Sequence, residues 1–288
     1  MIKADLKKHF IETNSIRLHV VEAGKADGPL LIFLHGFPEF WYAWRYQIDY
    51  FAQAGYRVVV PDQRGYNLSD KPRKIAEYNL DELTKDAIGL IDYYQRERAV
   101  LIAHDWGGAV AWWAAMTCPN RIEKLIVMNV PHPTVMRRHL KNNPEQRRRS
   151  RYIFLFQLPF LPEWRMQKNQ WDYAIRALTK TSKPGTFSSE DIALYQEAWS
   201  QPGALTSMIH WYRASLRHRP KRKLPAQVIV PTLLIWGEKD RFLGGEMAGE
   251  SIALCEQGQL EMLESATHWV QHEEPDRVNA LIADFLKQ

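Results

Sequence analysis

Residues 99–116 read AVLIAHDWGGAVAWWAAM. The run Ala99–His104 is almost wholly apolar, the pattern of a strand buried on both faces of a sheet. From Gly107 to Met116 small and aromatic residues continue as a helix, and Asp105 stands at the corner between the two elements. A strand that turns directly into a helix, with small residues beside the corner, forms a nucleophile elbow, because bulky neighbours would clash with the lifted side chain. The residue at the corner is a carboxylate, a group that can attack an sp³ carbon and form an ester within the enzyme. An Asp here would also serve simply as a cap for a helix starting at Trp106. Eighteen nearly apolar residues invite a membrane-span reading, but the charged pair at the centre and two glycines suit a buried strand–turn–helix better.

Outward from this motif the chain alternates strand and helix patterns. Strands are expected at 16–23, 30–35, 56–61, 99–104 and 125–129, with helices at 41–53, 81–96 and 107–116. The strand pattern returns at 227–237 and 259–263, and a last helix is expected at 275–286. Such alternation predicts an α/β fold whose mostly parallel sheet carries helices on both faces. Residues 134–224 break the rhythm: they are rich in helix formers, Arg and Trp and show no convincing strand. The expected organisation is a core of 1–131 and 226–288 with an inserted helical cap at 132–225.

Two further motifs fall at strand ends. Asp240 closes Trp236-Gly237-Glu238-Lys239-Asp240, and His268 lies in Ser265-Ala266-Thr267-His268-Trp269. Nucleophile, acid and base then follow in the chain order of an α/β-hydrolase triad, with His268 activating water and Asp240 holding its ring. His35-Gly36-Phe37-Pro38 follows an apolar strand, where backbone N–H groups of Phe37 and Trp106 suit an oxyanion hole. Asp62-Gln63-Arg64-Gly65-Tyr66 reads as structural support. No H-E-x-x-H and no paired cysteines occur, so neither a metal nor an organic cofactor is expected.

The 288 residues carry a net charge of +5, but that charge is unevenly spread. Residues 132–225 hold 18 Lys and Arg against 6 Asp and Glu, a net of +12; the remainder holds 20 against 27, a net of −7. The basic half is either a solvated cap surface or a face that leans on anionic membrane, and no motif accompanies it that would bind nucleic acid. Two cysteines, Cys118 and Cys255, and a charged N-terminal stretch without a signal peptide lead to a cytoplasmic expectation. Nothing in the sequence speaks to oligomeric state.

The segments HGFPEFWYAWRYQI (35–48), DQRGYNLSDKP (62–72), HDWGGAVAW (104–112), SQPGALTSMIHWYR (200–213) and ESATHW (264–269) resemble the epoxide hydrolases of the α/β-hydrolase superfamily, in that family's order and over nearly the whole chain. The resemblance implies Asp105 as nucleophile, His268 as base, Asp240 as its orienting acid, a cis Phe37–Pro38 bond and an oxyanion hole at Phe37 and Trp106. It also implies two cap tyrosines that hold the epoxide oxygen, matched by Tyr152 and Tyr212, with Tyr173 and Tyr195 as alternatives to Tyr152. The expected pocket wall, Phe37, Trp106, Phe154, Phe156, Leu158 and Trp269, is apolar and aromatic, which suits lipophilic or aryl epoxides that react with water. Two rival readings remain. A haloalkane or haloacid dehalogenase shares the fold and an Asp nucleophile but lacks the two cap tyrosines, and a slow ligand-binding protein on the same fold would keep all of these residues.

Overall fold

The computed structural model describes residues 3–220 and 227–288. Among these residues eight strands form one sheet: β1 (Lys7–Thr13), β2 (Ile16–Gly24), β3 (Leu30–Leu34), β4 (Arg57–Pro61), β5 (Ala99–His104), β6 (Ile122–Met128), β7 (Thr232–Gly237) and β8 (Gly258–Leu263). Their order is β1-β2-β4-β3-β5-β6-β7-β8, antiparallel across β1, β2 and β4 and parallel from β4 onward. The central strands are continuous apolar runs because helices cover both faces. Every residue of β3, β5 and β7 is buried. The edge strand β1 instead alternates, with only Ile11 fully buried, so its polar sequence KKHFIET gave no strand signal.

The helices of the core are α1 (Arg45–Gln53), α2 (Leu80–Tyr93) and α3 (Asp105–Thr117). Between β6 and β7 the described residues form six more: α4 (Pro133–Asn142), α5 (Pro144–Arg149), α6 (Arg151–Leu155), α7 (Leu161–Thr179, kinked where Lys168 to Trp171 leave helical geometry), α8 (Ser189–Trp199) and α9 (Ala204–Arg217). The core then resumes with α10 (Glu246–Ile252), α11 (Val270–Glu273) and α12 (Pro275–Lys287). Helix α1 packs with α12, and α2 with α3, as the layers covering the sheet. No strand interrupts 133–217, and the expected end of the cap at 225/226 lies outside the described residues.

Some boundaries differ from expectation for physical reasons. The strand expected at 227–237 starts only at Thr232, because Pro231 cannot donate to the ladder; upstream, Val228 makes a lone bridge with Cys255. The helix expected at 41–53 begins as a tighter 3₁₀ turn over Trp41–Trp44. The nearly apolar stretch 99–116 is β5 and α3, and no helix among the described residues is long and apolar enough to cross a membrane.

The junction of β5 and α3 leaves no room for side chains at its two glycines. A Cβ on Gly107 would lie 2.2 Å from the Leu34 carbonyl oxygen, and one on Gly108 2.3 Å from Val130 Cγ1. Gly249 in α10 has nothing within 4 Å of the same added atom. Gly107→Ala is therefore expected to lower the melting temperature and the yield of folded protein. Gly249→Ala, where only helix propensity changes, should raise stability by up to about 1 kcal/mol, read from denaturant titration of both variants.

Candidate active site

Asp105 adopts φ +48°, a left-handed conformation that a non-glycine residue holds only where its surroundings enforce it. Gly36 makes room for it: a Cβ there would come within 2.4 Å of Asp105 Cβ. The carboxylate is thereby presented at the carboxyl edge of β5, and the Phe37 backbone N–H donates to its Oδ1 at 2.8 Å. The Phe37–Pro38 peptide is cis. Trp106 is the second residue of α3, so its backbone N–H is one of those left without a partner inside the helix.

His268 faces Asp105 from the loop after β8. Its Nε2 lies 3.7 Å from Asp105 Oδ2, and its Nδ1–H donates to Asp240 Oδ2 at 2.7 Å. Asp240 is fixed in turn. Its Oδ1 accepts from the N–H groups of Phe242 and Leu243, at 2.7 and 3.0 Å, and its Oδ2 accepts from Asn129 Nδ2 at 2.8 Å. Asn129, just past β6 and itself at φ +45°, also accepts from Gly237 N–H, which ties the ends of β6 and β7 together. Burial opposes charge on His268, but the Asp240 and Asp105 carboxylates prevail and raise its pKa to about 10. Burial likewise opposes charge on Asp105, yet His268 keeps that carboxyl below its ordinary range. The resting site is thus an aspartate facing an imidazolium.

Two phenols close the site from the helical insertion. The rings of Tyr152 (α6) and Tyr212 (α9) meet edge to face at 5.8 Å. Tyr212 also packs against Phe37, Trp106 and Phe156, at 5.1, 5.0 and 4.9 Å. Burial and then the Asp105 charge push the Tyr152 pKa up; burial, Tyr152 and Asp105 do the same for Tyr212, so both phenols keep their protons.

Residues 29–275 match the model of the alpha/beta hydrolase fold family. The chain is 50% identical over 282 residues to the AB hydrolase superfamily protein YfhM of Bacillus subtilis, covering 98% of each. It is 40% identical over 284 residues to Epoxide hydrolase 4 of Homo sapiens, covering 96% of this chain and 78% of that one. It also superimposes on the crystal structure of the Bacillus megaterium epoxide hydrolase in complex with an inhibitor, with TM-score 0.87, 31% identity and coverage of 97% and 100%. The chain belongs to the epoxide hydrolase branch of the α/β-hydrolases.

In this α/β-hydrolase the sequence-expected Asp105, Asp240, His268, Tyr152, Tyr212, Phe37, Trp106 and Phe156 come together. Trp269 stands behind His268, its ring edge-on at 5.1 Å and its indole N–H bound to Thr181 Oγ1. Two expected wall residues do not join them. Phe154 is 57% exposed and Leu158 45% exposed, because Tyr152 and Phe156 occupy the inner side of the α6 segment and the positions two residues on fall outward. Of the alternative tyrosines, Tyr195 is committed elsewhere, donating to Glu39 Oε1 at 2.8 Å, and Tyr173 lies under the Arg165 guanidinium.

Several residues beside the reacting groups were not foreseen. Glu39, fully buried, accepts from His272 Nε2–H at 2.6 Å as well as from Tyr195. His104 Nε2–H donates to the His268 carbonyl at 2.8 Å, and its other nitrogen lies 3.2 Å from both Glu39 Oε2 and Gln271 Nε2. Glu39 sits three residues past Gly36, and that proximity to the oxyanion motif was the one available signal. Phe242 packs on His268 at 5.2 Å, and Gln146 of α5 clamps the acid loop through Phe242 carbonyl and Gly244 N–H.

The raised His268 pKa fixes the sign of a pH effect. Unfolded histidine loses its proton near 6.5 and the folded one near 10, so the stabilisation is complete below pH 6.5 and fades as pH rises to about 10. Melting temperatures of parent and His268→Gln are expected to differ most on the acid side of that window and to converge towards pH 10. Asn129→Asp, which sets a second carboxylate against Asp240, should lower the melting temperature and slow turnover at least about tenfold, measured with any accepted substrate.

Proposed function

We propose that this hydrolase converts lipophilic or aryl epoxides to vicinal diols through a covalent ester on Asp105. The observation that carries the proposal is convergence. A carboxylate aimed across the site by Phe37 N–H faces an imidazole on one side and two protonated phenols from the inserted helices on another. We take the insertion, 132–225, as a cap whose part is to supply those phenols.

Asp105 Oδ2 attacks a ring carbon, the carbon–oxygen bond of the epoxide breaks, and the oxygen develops negative charge. Tyr152 and Tyr212 donate to it. The proton balance then resolves the second stage. Esterification removes the Asp105 charge, one of the two that hold the His268 proton, and that proton passes by way of the phenols to the new alkoxide, making the first hydroxyl. His268 is left neutral, its ring still oriented by Asp240, as the base that the hydrolytic water needs. Water loses a proton to His268 and attacks the ester carbonyl, and the N–H groups of Phe37 and Trp106 stabilise the oxyanion. The acyl–oxygen bond breaks, the departing oxygen takes the second proton of the water, the diol leaves, and Asp105 is restored as a carboxylate with one oxygen from water beside a protonated His268.

The apolar surroundings of the phenols, Phe37, Trp106 and Phe156, favour lipophilic substrates. The same contacts favour an epoxide over a haloalkane, since what faces Asp105 is a pair of proton donors to oxygen. Incubation with styrene oxide tests the reading. Asp105→Ala is expected to form no diol, and His268→Gln to accumulate the ester, seen as an added substrate mass on the intact protein. Tyr212→Phe should slow ester formation by about 10²- to 10⁴-fold and leave residual turnover through Tyr152. Full diol formation by Asp105→Ala overturns the mechanism.

A further inference from the structure

Among the described residues, five of the twelve exposed large apolar side chains fall within eleven residues: Phe154, Leu158, Phe160, Leu161 and Trp164. Phe160 is 83% exposed and Trp164 57% exposed. Soluble proteins rarely concentrate apolar surface in this way unless something covers it. Phe160 and Trp164 line one open groove of about 560 Å³ between the start of α7 and α9, and Arg213 and Arg217 lie on the α9 side of it. Lys168 Nζ stands 4.8 Å over the Trp164 ring, and Arg165 is the next residue along the helix. Of these cations Arg213 is paired with Glu163; Arg165, Lys168 and Arg217 have no carboxylate within ion-pair distance among the described residues.

We propose that this face of the insertion docks on anionic lipid bilayers, with Phe160 and Trp164 entering the headgroup region and Arg165, Lys168 and Arg217 meeting lipid phosphate. Aromatic side chains flanked by Lys and Arg are the composition that the membrane interface selects, since rings prefer the headgroup level and cations snorkel to phosphate. Charge decides between occupants. Two copies of the chain meeting through this face would bring two basic rims together inside a segment already carrying net +12, whereas an anionic bilayer complements it. Each cation near such a surface contributes roughly fivefold in partitioning at low salt, and the contribution falls as salt screens it.

The placement has a use that rests on the epoxide reading. Tyr152 and Phe156 point to the site from the inner side of the same segment that presents Phe154 and Leu158 outward, so docking would set the substrate-holding helix beside the phase where lipophilic epoxides collect.

The test is co-sedimentation of the whole protein with phosphatidylcholine vesicles, with and without phosphatidylglycerol, at low and high salt. Binding is expected only to the anionic vesicles, reversed by salt. Phe160→Ser/Trp164→Ser and Arg165→Glu/Lys168→Glu should each reduce it about tenfold or more. Both double variants change exposed positions, and each should keep the parent's melting temperature and its turnover of a water-soluble epoxide in vesicle-free buffer. Equal binding to neutral vesicles, parent-like binding by either variant, or a dimer in analytical ultracentrifugation that Phe160→Ser/Trp164→Ser dissolves would each overturn the proposal. Sedimentation needs no turnover, so a failure of the epoxide reading and a failure of docking are read separately.

Discussion

Everything at the site depends on a single backbone constraint, the left-handed Asp105 at the end of β5. That conformation persists only while neighbours leave it room and hold it there. Gly36 and Gly107 do so by lacking a side chain where one would collide with Asp105 or the Leu34 carbonyl. Because β3 and β5 are parallel neighbours, the His35–Pro38 loop after β3 reaches the carboxylate through one hydrogen bond from Phe37. The same sheet order brings Asn129 at the end of β6 beside Asp240 after β7. Adjacent strands thus deliver, at one edge, groups far apart in sequence.

Charge is arranged in two tiers behind this edge. Asp105 and Asp240 both face His268, and their attraction outweighs the cost of burying its proton. Deeper lies Glu39, whose carboxyl is held well below its ordinary pKa because, although burial opposes ionisation, His272 and His104 oppose burial more strongly. His104 spans the tiers: it reaches Glu39 with one nitrogen and the His268 carbonyl with the other. A buried carboxylate without partners would be costly, so this cluster holds only if each member keeps its place. It braces the backbone that carries His268 without touching the reacting atoms.

The parallel core was legible because strands buried on both faces are short continuous apolar runs, as LLIFL, AVLIAH and TLLIWG are. The meeting of Asp105, Asp240 and His268 was legible because strand ends, small flanking residues and chain order restrict where three such side chains converge. Tyr152 and Tyr212 came from the resemblance, since an aromatic on a helix otherwise reads as packing. The contributions that escaped depend on tertiary neighbours. Whether Phe154 faces in or out is decided by a five-residue helix too short to show periodicity, and Asn129 acts through a residue 111 positions away. Edge strand β1 buries only Ile11 and exposes Phe10 among its charged residues, so it offered no regular apolar alternation.

The pairing of β6 with β7 closes a loop that contains the entire insertion. Loop-closure entropy grows only with the logarithm of length, so doubling or halving that loop changes its cost by about 0.6 kcal/mol. The sheet is accordingly almost indifferent to how long the intervening helices are. What it is not indifferent to is where they begin, because Gln146 and Arg149 reach down to the Phe242 and Asp240 carbonyls and pin the acid loop. The insertion is accordingly constrained at a few points, the two footholds of α5 and the two tyrosines of α6 and α9, and is free in length between them.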